Sequence, residues 1–446
     1  MRRSALRTAG RFAGWTKTVF DVRREELAPL LAATFGFFCV LTALMLLRPV
    51  RDAVGMAGGL ENVRGLFMAT ALVTLALNPA FGLLMGRVRR PHAIAMTYGF
   101  FALTLLLLWA SMTFGSAAVG LRSGQAFYVW FSVLNVFGTM VFWALASDRF
   151  THEQGTRLFA LIAIGGTLGA IFGPWLTSRL AQPIGASNLL PLSAVFLALG
   201  ILCARRLIRF TPGRNDAGDG TQEHHADAAA PMGGGAWDGA LAVIRSSYLA
   251  GIAGYVLLLA VMTTLVYLTR LQMVAGASAG QDAMAALLAD IDMWTQSVFL
   301  VLQLAMGTRI GHRVGPGHAL VVLPLATAAG FAGLAAHGGI AVLYVLEAAS
   351  RAIQRGIARP ARELLFMHLA RDHRYKARAF IDTFVHRLGD VLGAQIDAVS
   401  GRAGAGPAGL PVVAIPLATA WALLAVWLGR RYDNARRKPP AGIARP

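Results

Sequence analysis

The chain has 446 residues, 56 % of them hydrophobic and only 14 % charged, with a mean hydropathy of +0.57 and a formal net charge of +19. Apolar runs of about twenty residues, the length a helix needs to cross a bilayer, recur from end to end, which excludes a soluble globular chain. The positive charge is spread through short connections between those runs, which excludes a basic nucleic-acid-binding domain.

Seven cations, Arg2, Arg3, Arg7, Arg11, Lys17, Arg23 and Arg24, precede the first apolar run. No small-residue cleavage site follows a short apolar core, so the start reads as an uncleaved signal anchor. Twelve apolar segments follow, at about 29–50, 64–86, 92–113, 125–146, 158–180, 189–208, 248–269, 288–307, 318–335, 338–357, 379–400 and 410–429. They are too long and too uniformly apolar for barrel strands, which leaves helices as the way to satisfy the backbone in lipid. Cys39 and Cys203 both fall inside these runs, so neither a disulfide framework nor a metal site is expected.

Lys and Arg set the orientation. With the N-terminus placed in the cytoplasm, 33 of the 41 fall on the cytoplasmic side and 7 on the outer side (Arg48, Arg51, Arg64, Arg122, Arg179, Arg270 and Arg402), with Arg387 inside a span. Both termini are therefore expected in the cytoplasm. Between the sixth and seventh spans, residues 211–236 are rich in Gly, Asp and Ala and read as a flexible cytoplasmic linker. The His224-His225 pair within it reads as composition rather than a metal site.

The two halves echo each other. Met85-Gly86 and Met306-Gly307 close the second and eighth spans (306 − 85 = 221), and Leu168-Gly169-Ala170 returns as Leu392-Gly393-Ala394 (392 − 168 = 224). The expected architecture is an all-α membrane protein with twelve transmembrane helices in two six-helix pseudo-repeats, the major facilitator fold. Its parts are a cytoplasmic N-terminal segment (1–28), an N-terminal bundle (29–210), a linker (211–245), a C-terminal bundle (246–430) and a cytoplasmic tail (431–446).

Span 1 closes with Leu47-Arg48-Pro49-Val50-Arg51-Asp52. Guanidinium groups match carboxylate or phosphate bidentately, so Arg48 and Arg51 beside Asp52 suit an anionic solute. An interfacial charge cluster snorkelling to water is an equal reading. Gly165-Gly166, Gly169 and Gly173 in span 5 let another helix approach closely, which serves a moving interface or a static one. Glu347 lies within span 10 and runs into Arg351, Arg355, Arg359 and Arg362, so it reads as a proton or substrate residue, or as a partner for one of those arginines. Residues 361–370 read as an amphipathic helix on the cytoplasmic face. His368 and Asp372 carry no catalytic context, and no phosphate loop, metal-ligand spacing or nucleophile elbow occurs.

The densest polar stretch starts at Tyr375-Lys376-Ala377-Arg378 and enters span 11, which carries Asp382, His386, Arg387 and Asp390, with Asp397 near its far end. A charged side chain at mid-bilayer costs about 2.5–3.5 kcal/mol on insertion scales, so this span needs a compensating environment. Spacing by four puts Asp382, His386 and Asp390 on one helical face, with Arg387 near enough to neutralise Asp390. The face suits a substrate or ion pathway, or a structural ion-pair network between helices.

Leu47-Arg48-Pro49-Val50-Arg51-Asp52, the block from Phe142-Trp143 to Arg157-Leu158-Phe159, and Tyr375-Lys376-Ala377-Arg378-Ala379-Phe380-Ile381-Asp382 resemble the bacterial branch of the ATP/ADP translocase family, the non-mitochondrial nucleotide transporters. The resemblance covers about residues 25–430 and implies a major-facilitator-like fold with ATP/ADP exchange or proton-coupled nucleotide uptake. The exchangers have Lys where this chain has Arg51, which keeps the charge, and Gly-Lys where it has Gly389-Asp390, which reverses it.

The sequence thus leads to a bacterial inner-membrane secondary transporter, monomeric and not an enzyme, with no cofactor and no nucleic-acid partner. Arg48, Arg51, Asp52, Glu347 and Arg387 would meet an anionic solute such as a nucleotide, while Asp382, His386 and Asp390 would carry protons or switch ion pairs. Proton-coupled movement of an unrelated solute, efflux included, and a non-transporting membrane scaffold are the alternatives.

Overall fold

The computed structural model describes residues 22–87, 90–210, 238–306, 316–366, 377–378, 380–402 and 406–437. The basic N-terminal segment through residue 21, most of the linker with His224 and His225, the 307–315 connection, His368, Asp372, Tyr375, Lys376 and the end of the tail lie outside the described residues. Every regular element described is helical.

Six helices make up the first half: α1 (Leu27–Met56), α2 (Gly59–Arg87), α3 (Arg90–Phe114), α4 (Ala117–Arg149), α5 (His152–Ile184) and α6 (Leu189–Phe210). The segment read as linker ends in a short helix, α7 (Asp238–Arg245). The second half comprises α8 (Ser247–Ala277), α9 (Gln281–Met306), α10 (Pro316–His337), α11 (Ile340–Ile353), α12 (Arg359–Phe366), α13 (His386–Arg402) and α14 (Gly406–Arg437). Among the described residues, nine helices are long and apolar enough to cross a membrane. Outward-facing Leu31, Phe35, Leu103, Leu107, Val412 and Leu423 would face lipid.

The tenth and eleventh expected spans are not plain α-helices. A π-helical segment, Gln354–Ala358, joins α11 to α12, and another, Ile381–Val385, leads into α13. Each widens the helix by one residue, a feature found often at functional sites. The amphipathic helix expected at 361–370 is described only as α12, which buries Ala361, Leu365 and Phe366.

The chain divides into two compact units, one of Met1–Ala228 with Gln281–Met293 and one of Ala229–Gly280 with Trp294–Pro446. Within the first, α1 packs on α4, α5 and α6, and α3 on α4 and α6. Within the second, α8 packs on α13 and α14, and α10 on α11 and α14. Four of these pairs correspond, α1 with α5 and α6 matching α8 with α13 and α14, and α3 with α4 and α6 matching α10 with α11 and α14, as an internal repeat would give.

Close approach in both units depends on glycine at intervals of four. A Cβ on Gly165, Gly169 or Gly173 would come within 2.7, 2.3 and 2.7 Å of the carbonyl oxygens of Thr34, Phe38 and Thr42 on α1. On α13, a Cβ at Gly389 or Gly393 would come within 2.6 and 2.9 Å of the carbonyl oxygens of Leu257 and Val261 on α8. Hydroxyls fasten the first seam, with Thr177 Oγ1 donating to the Leu46 carbonyl at 2.7 Å and Thr42 Oγ1 to that of Gly169 at 3.4 Å. The small residues of span 5 therefore form a helix–helix seam.

Gly169→Ala should force α1 and α5 apart, a small-to-large change worth about 1–3 kcal/mol of destabilisation. Gly99→Ala is the control: nothing lies within 4 Å of its added Cβ, and it should be neutral or stabilising by up to about 1 kcal/mol. Thermal unfolding of the two variants in detergent reads the difference.

Candidate functional site: buried ion pairs in the helical units

In the first unit, Pro49 inside α1 removes one backbone donor, and Arg48, Arg51 and Asp52 surround it in the last turns of that helix. Asp52 is fully buried. Arg51 Nε donates to Asp52 Oδ1 at 2.8 Å, and the Arg51 guanidinium lies 4.7 Å from the ring centre of Tyr128 and 5.3 Å from that of Phe131, both on α4. Gly55 leaves room for the Tyr128 ring: a Cβ there would come within 2.6 Å of it. Arg48 Nη1 stands 3.8 Å from Asp292 Oδ1 on the first part of α9, and Asp292 is buried. Ser178 on α5 donates to Asp290. The sequence left a solute-binding pair of cations and an interfacial cluster snorkelling to water as equal readings; the structure gives each arginine a buried carboxylate, because an unmatched charge in an apolar bundle is costly.

In the second unit, Glu347 on α11 is buried and meets two guanidinium groups. Arg270 Nη1 on α8 lies 3.5 Å from Glu347 Oε1, and Arg351, one turn beyond Glu347, pairs with the same oxygen. Arg270 is itself fully buried within α8, whereas loop counting assigned it to the outer side. One turn beyond Arg351, Arg355 Nη1 donates to Gln296 Oε1 at 2.8 Å and sits 5.4 Å from the Phe299 ring centre.

Span 11 holds two clusters of ion pairs. Asp390, nearly buried, receives Arg387 Nη1 on Oδ2 at 3.1 Å, has His386 Nδ1 at 3.6 Å from the same oxygen, and accepts from Thr264 Oγ1 on α8 at 3.4 Å. Asp382 belongs elsewhere: Arg362 of α12 lies 3.3 Å away and Arg378 3.6 Å away, with Arg378 also donating to Glu363 at 2.8 Å. The expected stripe of Asp382, His386 and Asp390 assumed a regular α-helix. The π-helical segment Ile381–Val385 contains Asp382 and shifts its register against the residues that follow. Asp397, two turns beyond Asp390, accepts from Gln272 Nε2 on α8 at 3.0 Å.

The expected Arg387–Asp390 pair is thus present, and Glu347 does partner arginine. Asp292, Arg270, Thr264, Gln272 and Gln296 were not anticipated as partners. For Asp292 a signal existed, since Asp290 and Asp292 interrupt an otherwise apolar run.

No protein-family model matches the sequence, and no curated protein matches it. Among solved structures, a bacterial homolog of the human lysosomal transporter Spinster, in an inward-facing and unoccupied conformation, superposes with a TM-score of 0.55 at 14 % identity, covering 94 % of this chain and all of that one. This fold is the major facilitator fold. The chain is accordingly a multi-pass, all-α membrane protein; the narrower likeness to the ATP/ADP translocases gains no support from these comparisons.

Removing Asp52 leaves the half-buried Arg51 without its carboxylate, so Asp52→Ala should destabilise the fold by about 3–5 kcal/mol. Asp382→Ala, at a site open to solvent, should cost about 0–1 kcal/mol. Melting temperatures of the two purified variants test the contrast.

Proposed function

We propose that this protein is a secondary active transporter of the bacterial inner membrane, working by alternating access of its two six-helix halves, with both termini in the cytoplasm. Asp390 carries the reading. It is a nearly buried carboxylate in a membrane span, in reach of His386, Arg387 and Thr264. An intramembrane acid with exchangeable partners on its own helix and on a neighbour suits a proton relay or an ion-pair switch.

The solute is an anionic metabolite. Arg48 and Arg51 receive it, with Asp52 and Glu347 as the carboxylates it displaces from guanidinium and Arg387 as a further cation on its path. Asp382 with Arg362 and Arg378 forms an ion pair that opens and closes during the cycle. A nucleotide exchanged for another nucleotide, or taken up with protons, follows from the resemblance in the Arg48–Asp52 and Arg378–Asp382 blocks. Asp390, where the exchangers have Lys, favours a second reading: proton-coupled movement of a less anionic solute.

Reconstitution into proteoliposomes tests both. Nucleotide uptake should appear in counterflow and accumulate further under an inward proton gradient. Arg51→Ala should lower both at least about tenfold, the loss expected for one bidentate charged contact. Asp390→Asn should abolish gradient-driven accumulation while exchange survives. No flux of any nucleotide or phosphorylated metabolite removes the anionic reading, and wild-type behaviour of Asp390→Asn removes proton coupling through that residue.

A further inference from the structure

The last turns of α14 and the first turn of α8 meet where both apolar runs end, and the polar groups there are tied together. Arg431 Nη1 donates to Ser247 Oγ at 2.6 Å, joining the end of α14 to the first residue of α8. The Arg431 guanidinium also lies 4.7 Å from the ring centre of Trp427, one turn back on α14. Trp427 is set against α8 in turn: a Cβ on Gly251 would come within 2.4 Å of its ring. Trp427 nevertheless keeps 37 % of its surface exposed, and Arg430 and Arg431 are exposed as well. So is Asp433, but two residues turn a helix by about 200°, which puts it on the other side of α14 from Arg431.

α7 comes to the same place. It packs on α8 and ends at Arg245, two residues before Ser247. Val243 is its buried apolar residue, while Leu241 is 45 % and Ile244 78 % exposed, and the adjoining Arg245 is exposed too. A short helix with bare Leu and Ile next to a cation, at the end of a membrane span, suits the boundary between headgroups and acyl chains. Trp favours that depth for the same reason, being apolar in its body and polar at its N–H. Among the described residues Arg431 donates one hydrogen bond, whereas a guanidinium carries five N–H donors. The cations are complementary to an anion, and the apolar side chains around them to a hydrocarbon tail.

We propose that Arg245, Arg430 and Arg431, with Ser247 and Trp427, form a binding site for the headgroup phosphate of an anionic phospholipid. The Arg431 fork meets the phosphate oxygens, held in place by Ser247 and by the Trp427 ring. Leu241 and Ile244 enter the acyl boundary beside it and hold α7 on the bilayer surface. A soluble phosphate would use the cations and leave Leu241, Ile244 and Trp427 bare, so the apolar half of the surface is what selects a lipid. The site requires that the chain span a membrane and is independent of whether it transports.

The full-length chain in detergent is titrated with phosphatidylglycerol, with phosphatidylcholine of the same acyl chains and, separately, with glycerol 3-phosphate, and thermal stabilisation is followed. Phosphatidylglycerol should act at a concentration about tenfold below that of phosphatidylcholine, the factor that one hydrogen bond to a charged group supplies. Glycerol 3-phosphate should do nothing in that range. Arg431→Gln should erase the preference for phosphatidylglycerol, and Arg431→Lys, which keeps the charge and loses the fork, should retain part of it. Ile244→Ser should weaken both lipids by the same factor. Arg245→Gln covers the case in which the Arg431 variants do not fold, and should reduce the preference. Arg209→Gln, an exposed cation at the end of α6, is the control and should leave it intact. Equal midpoints for the two lipids in wild type, or an unchanged preference in both Arg431→Gln and Arg245→Gln, overturn the site. Stabilisation by glycerol 3-phosphate equal to that by phosphatidylglycerol does so as well, and assigns the cluster to a soluble anion. An equal loss in Arg209→Gln also overturns it, since net charge alone would then hold the lipid.

Discussion

Burying charge inside an apolar helical bundle is the constraint on which the rest of this structure depends. Arg270 and Asp52 are wholly buried, and Asp292, Glu347 and Asp397 nearly so. None is tolerable alone, because a lone charge in such surroundings costs several kcal/mol. Each therefore acts as a tie. Arg270 joins α8 to α11 through Glu347, Gln272 joins α8 to α13 through Asp397, and Arg48 joins α1 to the first part of α9 through Asp292. These ties fix which helix faces meet, in a setting where apolar surface does little to select among neighbours, since lipid is as apolar as any helix.

Glycine supplies the second requirement, closeness. On α5 the seam is Gly165, Gly169 and Gly173, while on α13 it is Gly389, Gly393 and then Asp397, which stands where the first unit has Gly173 (397 − 173 = 224). Where the first unit ends its seam in backbone contact, the second places a carboxylate in contact with Gln272. The repeat has thus kept a packing surface and changed its chemistry at one end. Small residues allow backbones to slide as well as touch, so the same seam suits a bundle that must change shape.

The ion pairs differ in how firmly they hold. The Arg51–Asp52 pair, closed over by Tyr128 and Phe131, is desolvated and confined. Asp382, with Arg362 and Arg378, remains open to water, where rearrangement costs little. Asp390 lies between these extremes, nearly buried itself but with His386 and Arg387 about one-third to two-fifths exposed. That gradation, from a locked pair in the first unit to looser ones in the second, suits the proposed cycle of making and breaking ion pairs.

Run length and composition alone determined that the chain is a helical membrane protein built from two related halves, since backbone satisfaction in lipid leaves few alternatives and the repeat survives as shared offsets. The local pairing of Arg387 with Asp390 was legible too, because residues three apart on a helix are neighbours wherever the helix lies. Pairing across helices was not. Nothing in the run around Arg270 says that it points to Glu347, 77 residues on, rather than to water. The contact of Asp382 with Arg362 of α12 was not legible for the same reason, since the two come from different helices. Sequence settled that charges stand within and beside the spans, because the apolar runs on either side are unmistakable; tertiary structure settled which of them are buried and with what partners, because only it brings distant helices into contact.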